Sequence, residues 1–192
     1  ELSTPWELDT VQHPYYNVVD SGDYFWQYVK HPENDDQYFI LSNDGDLRHI
    51  DHENRYQIAV VNFKALGRVV NAHGFNFKSD GTGLYIVDSN KCSIDYYTLS
   101  TAWDITTHDY QYSVTDIFAQ TFGTDVLYDL RFKPDGTQLY LLNHTEDRIY
   151  QFEMTTPWDI RTMVHNSQFA VTTGESAPQS FDLDSSGRYL LY

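Results

Sequence analysis

Three polar residues and a glycine, Asn43-Asp44-Gly45-Asp46, are the strongest candidate for cation binding in the sequence. Carboxylate oxygens are ligands that Ca²⁺ prefers, so Asp44 and Asp46 are the candidate calcium ligands. The twelve-residue EF-hand pattern is incomplete here, because no glutamate stands at the required distance. Asp-Gly is also a turn signal, so a calcium site and a tight turn both remain open for this segment.

Histidine and cysteine side chains are the other candidates for metal binding or catalysis. The segment His49-Ile50-Asp51-His52 stands at the end of a predicted strand. His49 and Asp51 share one face while His52 points to the other, which is poor geometry for joint ligation of a metal. The single cysteine, Cys92, has no evident base near it, and no Gly-x-Ser-x-Gly motif occurs. The sequence therefore predicts no catalytic residue, no enzymatic activity and no bound transition metal.

Net charge excludes some classes of partner. The 192 residues include 28 acidic and 12 basic side chains, which gives a formal charge of −16. Such a chain repels phosphate groups, so binding to nucleic acid or to an anionic membrane surface is not expected. No stretch reaches the roughly 18 apolar residues that a membrane-spanning helix needs. Protein and glycan partners remain, and Asn143-His144-Thr145 matches the acceptor sequence for N-glycosylation.

Two segments of the chain repeat one another and predict the elements that position these side chains. They are residues 75–87, FNFKSDGTGLYIV, and residues 130–142, LRFKPDGTQLYLL. Each reads as a strand, an Asp-Gly turn and a second strand, which is a strong signal for a β-hairpin. Each is followed at equal distances by an isoleucine and by a Trp-Asp-Ile motif, so the repeating unit is about fifty residues long.

Aromatic residues mark the repeat along the chain. Trp103 and Trp158 stand in the two complete motifs, Trp6 stands in a further motif at Leu2–Leu8, and Tyr56 replaces tryptophan between them. We expect the four markers to occupy equivalent positions in successive units, with the tryptophans packed between neighbouring units. The units cover approximately residues 1–25, 26–72, 73–127 and 128–178, with a partial unit at 179–192.

One unit contains four predicted strands. In the third unit they are Gly74–Phe77, Gly83–Asp88, Cys92–Leu99 and a strand within His108–Gln120. Four short antiparallel strands, repeated about every fifty residues, are typical of the blades of a β-propeller. The sequence thus predicts an all-β chain whose four or so blade-length repeats form one propeller domain or part of a larger ring. A β-sandwich is the competing architecture, but it does not require the same paired motif in every unit.

The same motifs carry a resemblance to known proteins. Residues 132–140, FKPDGTQLY, and residues 98–105, TLSTAWDI, resemble the tandem repeats of a β-propeller family of marine bacterial and phage proteins. The hairpin half is also similar to repeats of YVTN-type and lactonase-like propellers. The resemblance covers nearly the whole chain and is strongest over residues 74–192. It implies the propeller fold and transfers no catalytic residue.

Ligands of propellers usually bind at the mouth of the central axis, so residues flanking each innermost strand are the candidate ligand-binding residues. In this chain they are Trp26, His73, Asp129 and Gln179. The last unit stops after its second predicted strand, whereas the first begins at its Trp motif. We therefore expect the strand Arg188–Tyr192 to pair with residues outside this chain, in a continuation of the polypeptide or in another subunit of a homo-oligomer.

These observations favour a non-catalytic propeller that binds a protein or a carbohydrate, or takes part in assembly, on an extracellular, cell or virion surface. Aromatic clusters such as Tyr24-Phe25-Trp26 suit a stacking platform for sugars, although such side chains also form cores. An enzyme of the lactonase or hydrolase kind that uses the axial pocket is the second hypothesis. A purely structural building block is the third.

Overall fold

Short β-strands make up most of the structure. The computed structural model describes residues 25–42, 45–51, 56–63, 71–115, 117, 126–171, 178–183 and 189–191. Within these residues the chain forms fourteen strands, β1 to β14 in chain order, and two 3-10 helices, Ile105–Thr107 and Ile160–Thr162. The strands are Phe25–Lys30, Gln37–Ser42, Asp46–Asp51, Tyr56–Asn62, Ala72–Phe77, Gly83–Asp88, Ser93–Leu99, His108–Val114, Leu127–Phe132, Gln138–Asn143, Arg148–Met154, Met163–Ala170, Phe181–Leu183 and Tyr189–Leu191.

The strands form a row of antiparallel sheets, which we call blades 1 to 4. Strands β1–β4, β5–β8 and β9–β12 each make a four-stranded meander, and β13 pairs with β14. The predicted all-β class is confirmed, and β5, β6 and β7 begin within two residues of their predicted starts. Among these described elements no helix has the length and apolar character that crossing a bilayer requires.

Apolar side chains fill the spaces between blades. β6, Gly83–Asp88, is buried throughout, because its side chains alternate between two faces and both faces are covered. Leu84 and Ile86 belong to the core shared with blade 1, whereas Tyr85 and Val87 belong to the core shared with blade 3. A smaller core joins blade 3 to β13. We call the face that a blade turns toward the next blade in the chain its forward face; in blade 2 it carries Tyr85 and Val87.

An Asp-Gly turn joins the first two strands of blades 2 and 3. Gly81 and Gly136 both have a φ of +72°, a left-handed conformation that glycine adopts without steric cost. The Asp80 carboxylate accepts hydrogen bonds from the backbone N–H and the hydroxyl of Thr82, at 3.0 and 2.6 Å. The equivalent residues of blade 3 repeat this arrangement. Both predicted hairpins are therefore confirmed, down to the side chain that fixes the turn.

Each Trp motif folds back over the glycine of its own hairpin. The backbone N–H of Trp103 donates to the Gly81 carbonyl at 3.0 Å, and that of Trp158 donates to the Gly136 carbonyl at 2.9 Å. Each indole lies where a side chain on the glycine would stand. The segments concerned, which we call the Trp loops, are residues 100–107 and 155–162.

The Trp loops also reach the preceding blade. The Trp103 ring lies 5.4 Å from the His31 ring of blade 1. The Tyr85 hydroxyl of blade 2 donates to the Trp158 carbonyl at 2.5 Å. Both tryptophans therefore pack between neighbouring blades, as the sequence predicts, while threonine hydroxyls close each loop internally.

Tyr56 does not occupy the place of the tryptophans, so this part of the marker prediction is wrong. Tyr56 begins β4 and pairs with Asp51, whereas Trp103 and Trp158 each stand five residues before the fourth strand of their blade. The physical reason is the length of the connection. β3 ends at Asp51 and β4 begins at Tyr56, which leaves too few residues to form a Trp loop. Trp6 lies outside the described residues.

Candidate functional site

The first strands of successive blades lie next to one another. β5 contacts both β1 and β9, and β9 contacts β13. Gly74 permits the approach of β5 to β9, because a Cβ at this position would lie 2.7 Å from the Tyr128 carbonyl oxygen and 2.8 Å from the Asp129 Cα. Side chains of these inner strands are therefore brought together.

Asp129 is the centre of a buried polar network. One carboxylate oxygen accepts hydrogen bonds from Gln27 Nε2 at 3.1 Å, from Arg131 at 2.7 Å and from the N–H of the next residue at 2.8 Å. The other oxygen accepts from the Ser180 hydroxyl at 2.6 Å and from the Phe181 N–H at 3.1 Å. Only 1% of Asp129 is exposed, so these five donors take the place of water around the carboxylate.

Gln27 extends this network to β5. Its side-chain oxygen accepts a hydrogen bond from the Phe75 N–H at 2.5 Å, while its nitrogen donates to Asp129. We call Gln27, Asp129, Arg131 and Ser180 the Asp129 network. It connects the first strands of all four blades through hydrogen bonds that cross from strand to strand.

Strand register explains why these side chains meet. In every blade the last residue of the first strand pairs with a residue at or next to the start of the second strand. The positions three residues before this end are therefore equivalent in all four blades. Because inner strands lie side by side, residues at one level face the same region. Glycine in blade 2 leaves open the space that the Asp129 carboxylate occupies. In blades 1 to 4 the equivalent residues are Gln27, Gly74, Asp129 and Ser180.

Arg131 balances the charge of Asp129 from the same strand. Its guanidinium also donates to Asp182 at 3.2 Å and lies 5.6 Å from the centroid of the Phe181 ring. Burial raises the pKa of Asp129, and the neighbouring guanidinium of Arg131 opposes that rise. Every group around the carboxylate donates a hydrogen bond to it, and such donors favour the ionised form of Asp129.

Tyr128 of β9 lies between two imidazole rings. Its ring centroid is 4.2 Å from that of His73 and 4.0 Å from that of His144, and the rings are nearly parallel. His73 Nε2 lies 3.1 Å from the side-chain nitrogen of Asn71, and His144 Nδ1 donates to the Pro178 carbonyl at 3.1 Å. Burial, followed by repulsion from His144, lowers the pKa of His73 to about 4. His73 is therefore neutral at pH 7.

We expect the free energy of unfolding to fall as the pH is lowered from about 6.5 to 4. Burial also lowers the pKa of His49 to about 4. In an unfolded chain the pKa of histidine is about 6.5, so unfolding takes up protons between these values and acid favours the unfolded state. His73 and His49 should each contribute up to about 3 kcal/mol to this loss. Urea unfolding measured at a series of pH values checks the prediction.

Single replacements test the assignment of this pH dependence. His73→Gln and His49→Gln should each flatten the dependence between about pH 6.5 and 4. His165→Gln, on the exposed strand β12, is the matched control and should leave it unchanged. Carboxyl groups such as Asp80 and Asp159, whose pKa values lie at about 2, act at lower pH. Equal slopes in all three variants would contradict the assignment.

The structure places the four predicted ligand-binding residues in different surroundings. His73 and Asp129 lie on neighbouring inner strands but at levels one residue apart, since the residue of blade 3 equivalent to His73 is Tyr128. Gln179 is exposed just before β13. Trp26 lies at a bulge in β1, and its side chain is outside the described part of the structure. Ligand binding by these residues stays a prediction.

Five members of these networks are not among the residues predicted from the sequence: Gln27, Tyr128, Arg131, His144 and Ser180. Gln27 and Ser180 had a signal, because the repeat alignment puts both in the same column as Asp129. His144 had none, because it lies in the turn after β10 and reaches Tyr128 only when that hairpin folds back.

The candidate calcium ligands receive no support from the described residues. Asp44 lies outside them. Asp46 accepts hydrogen bonds from Arg48 at 3.1 Å and from Asn62 at 2.5 Å, so its carboxylate is engaged by protein groups. Across the described ranges, no three His, Cys, Asp or Glu side chains come together as metal ligands.

Three other candidates have surroundings that explain them structurally. His49 stacks on Phe39, with ring centroids 4.4 Å apart. Cys92 lies in the turn before β7, with a φ of +48°, and not in the strand itself. Asn143 is fully buried, and its side-chain oxygen accepts two backbone N–H groups of the following turn. A glycan therefore cannot be attached to Asn143 in the folded protein.

Comparisons with known proteins concern the fold. No protein-family model and no curated protein matches the chain. A protein from Lactobacillus plantarum is 16% identical with a TM-score of 0.60, covering 86% of this chain and 46% of that one. A periplasmic gluconolactonase of Pseudomonas aeruginosa is 14% identical with a TM-score of 0.58, covering 88% and 47%. The Swd1 β-propeller domain of Myceliophteria thermophila is 12% identical with a TM-score of 0.50, covering 78% and 44%.

Likeness at such low identity establishes the fold and leaves activity open. The chain spans about half the length of these solved structures. Its own architecture agrees with theirs, since three four-stranded blades and the hairpin of a fourth lie in a row with their first strands together. The chain therefore has the β-propeller fold.

Proposed function

We propose that the chain is a non-catalytic propeller module that binds a protein or a carbohydrate at the axial end of its inner strands. The observation that carries this proposal is that the polar side chains of the inner strands are already hydrogen-bonded to one another. Both oxygens of Asp129 and the guanidinium of Arg131 are held by hydrogen bonds within the chain. Groups engaged in this way fix the inner strands and are poorly placed to act as base or nucleophile. A rigid arrangement of this kind suits recognition.

The surroundings of the network suggest the chemistry of the partner. A net charge of −16 favours neutral or cationic partners over anionic ones. Tyr128 and His144 are half-buried and Gln179 is exposed, so aromatic edges and hydrogen-bonding groups lie together near the axial end. Neutral sugars and peptide side chains are held by such combinations. The resemblance to repeats of marine bacterial and phage proteins supports an extracellular, cell-surface or virion location.

Binding of neutral oligosaccharides and cationic peptides to purified protein, on an array and then by titration calorimetry, tests this proposal. For any ligand found, Gln179→Ala and His144→Ala should weaken binding about tenfold, the loss expected for one or two hydrogen bonds. Ser100→Ala, at an exposed position in the Trp loop of blade 2, should bind like the unchanged protein. Equal binding by all three variants would show that the ligand does not bind at the axial end.

A lactone hydrolase is the second candidate function. It is favoured by the fold shared with the periplasmic gluconolactonase of Pseudomonas aeruginosa and by His73, a neutral imidazole on an inner strand. A panel of sugar lactones and esters at neutral pH, with elemental analysis of the protein, decides between the two candidates. Turnover that His73→Gln abolishes, without loss of stability at that pH, would replace the binding proposal with the enzymatic one.

A further inference from the structure

Two histidines lie at the junction where the Trp loop of blade 2 packs on the forward face of blade 1. The centroid of the His31 ring is 5.4 Å from that of Trp103 and 5.4 Å from that of His49. Phe39 stacks on His49 at 4.4 Å, and each imidazole is only 8% exposed. A stack of aromatic rings therefore joins the loop of one blade to the strands of its predecessor, and two of these rings can take up a proton.

The hydrogen bond that His31 accepts fixes this ring in its neutral form. Its Nδ1 accepts the backbone N–H of Glu33 at 3.1 Å, so this nitrogen carries no proton while the junction is closed. His49 Nε2 lies 3.0 Å from the side-chain oxygen of Gln37, which can only accept. Uptake of a proton by His31 breaks its bond to Glu33, and a charge on either imidazole repels a charge on the other.

The surroundings of both rings favour the neutral form. Burial lowers the pKa of His31, and burial followed by repulsion from His31 lowers the pKa of His49 to about 4. Glu33 acts in the opposite direction on His31. Asp104 and Asp51 act in the opposite direction on His49, but their effect is smaller than that of burial. Acid therefore favours an open junction, in which water surrounds both imidazoles.

The indole of Trp103 also favours opening. Its Nε1–H is buried, and none of the described residues accepts a hydrogen bond from it. A buried donor without an acceptor destabilises the closed junction, whereas water can accept this hydrogen bond once the loop has moved away. The loop of blade 2 is thus held by ring contacts and not by the hydrogen bond that its indole could make.

The junction of blades 2 and 3 has the same arrangement but different chemistry. Its Trp loop, residues 155–162, receives the hydroxyl of Tyr85 on the Trp158 carbonyl at 2.5 Å. Tyr112 donates to Asp159 at 3.2 Å. Burial raises the pKa of both tyrosines, and the pKa of Asp159 lies at about 2. None of these groups changes its charge between pH 7 and pH 5, so this junction is an internal control for the first.

We propose that the junction of blades 1 and 2 opens in acid, because protonation of the His31–His49 pair releases the Trp loop at residues 100–107. The loop then leaves Phe39 and uncovers part of the forward face of blade 1, while blade 3 stays packed on blade 2. This opening is distinct from global unfolding, since the blades themselves remain folded. It is also independent of ligand binding at the axial end, because none of these residues belongs to the Asp129 network.

Hydrogen exchange of the full chain at pH 7 and at pH 5, followed by mass spectrometry and corrected for the pH dependence of intrinsic exchange, tests the proposal. Exchange in residues 100–107 should be at least about tenfold faster at pH 5. For one histidine whose pKa is about 4 in the closed junction and about 6.5 in the open one, opening increases about twentyfold. Exchange in residues 155–162 should change by less than about twofold.

Replacement of both histidines tests the assignment. His31→Asn keeps an acceptor in the place of Nδ1, and His49→Gln keeps a donor, but neither side chain takes up a proton. In the double variant, the ratio of the rates at pH 5 and pH 7 in residues 100–107 should fall to the ratio in residues 155–162. Because each ratio is taken within one variant, a general loss of stability cancels. His165→Gln, at an exposed position of β12, is the matched control and should leave the ratio unchanged.

Three results would overturn the proposal. The first is equal acceleration in both Trp loops, because acid would then loosen the whole chain. The second is unchanged exchange in residues 100–107 between pH 7 and pH 5. The third is a double variant that retains the ratio of the unchanged protein, because groups other than the two histidines would then be responsible. If the double variant does not fold, the comparison of the two loops in the unchanged protein still decides.

Discussion

Asp129→Ala should lower the free energy of unfolding by about 3–5 kcal/mol, the usual loss when one member of a buried ion pair is removed. The substitution leaves Arg131, of which only 9% is exposed, without its buried partner. It also leaves the Phe181 N–H and the Gln27 amide without an acceptor, and each such group costs about 1–3 kcal/mol. Urea unfolding followed by circular dichroism measures the effect.

Two further variants separate the charge of Asp129 from its position in the network. Asp129→Asn keeps the shape but turns an amide N–H₂ toward groups that are themselves donors, so an intermediate loss is expected. Asp182→Asn removes the charge of the other partner of Arg131. Because the Asp182 side chain is 60% exposed, this substitution should lower the free energy of unfolding by no more than about 1 kcal/mol. If Asp129→Ala costs no more than Asp182→Asn, the network does not hold the inner strands together.

Gly136→Ala should lower the free energy of unfolding by about 2–5 kcal/mol, because backbone strain and steric overlap add. The φ of Gly136 is +72°, and a Cβ there would lie 2.3 Å from Nε1 of Trp158. The indole packs against the Phe132 ring, with centroids 5.0 Å apart, so moving it away from the added Cβ disturbs that contact. Gly81→Ala should behave alike, since its Cβ would lie 2.4 Å from the Trp103 ring.

The overlap can be distinguished from the strain by a double-mutant cycle. Trp158→Ala removes the ring, so Gly136→Ala should cost less in that background by about 1–3 kcal/mol, and only the positive φ should remain. Gly83→Ala is the control in the same hairpin family, because its nearest contact is the Tyr96 side chain at 3.0 Å and its φ is not positive. Its effect should stay within about 1 kcal/mol. Additive losses at Gly136 and Trp158 would refute the steric explanation.

The blades could be predicted because their signals are local. An Asp-Gly turn between alternating apolar residues specifies a hairpin wherever it occurs, and residues 75–87 and 130–142 both fold accordingly. The prediction for Tyr56 is wrong because the repeat pattern alone does not show how many residues separate β3 from β4. A loop needs enough residues between strands, and the short connection from Asp51 to Tyr56 was not visible before the strands were placed.

The Asp129 network was harder to predict because it depends on register between strands far apart in sequence. The expectation that ligand-binding residues flank the inner strands selects both His73 and Asp129. These two residues nevertheless lie one position apart along their strands. A bulge in β1 shifts the pairing between Phe25 and Gln27, so the level of Gln27 could be assigned only from the aligned hairpins. Contacts of this kind follow from how strands twist past one another, and sequence periodicity alone does not encode them.

The two complete contacts between blades use different chemistry on the same backbone. Blade 2 meets the rings of His31 and Phe39 on blade 1, whereas blade 3 meets the hydroxyls of Tyr85 and Tyr112 on blade 2. If the order of the blades were changed so that blade 3 followed blade 1 directly, the Trp158 carbonyl and the Asp159 carboxylate would face the rings of blade 1. They would then lack the tyrosine hydroxyls that donate to them on blade 2. The units are alike in shape but each recognises one predecessor, so the linear order of the blades is encoded at their junctions, and repeats of this protein are not interchangeable parts.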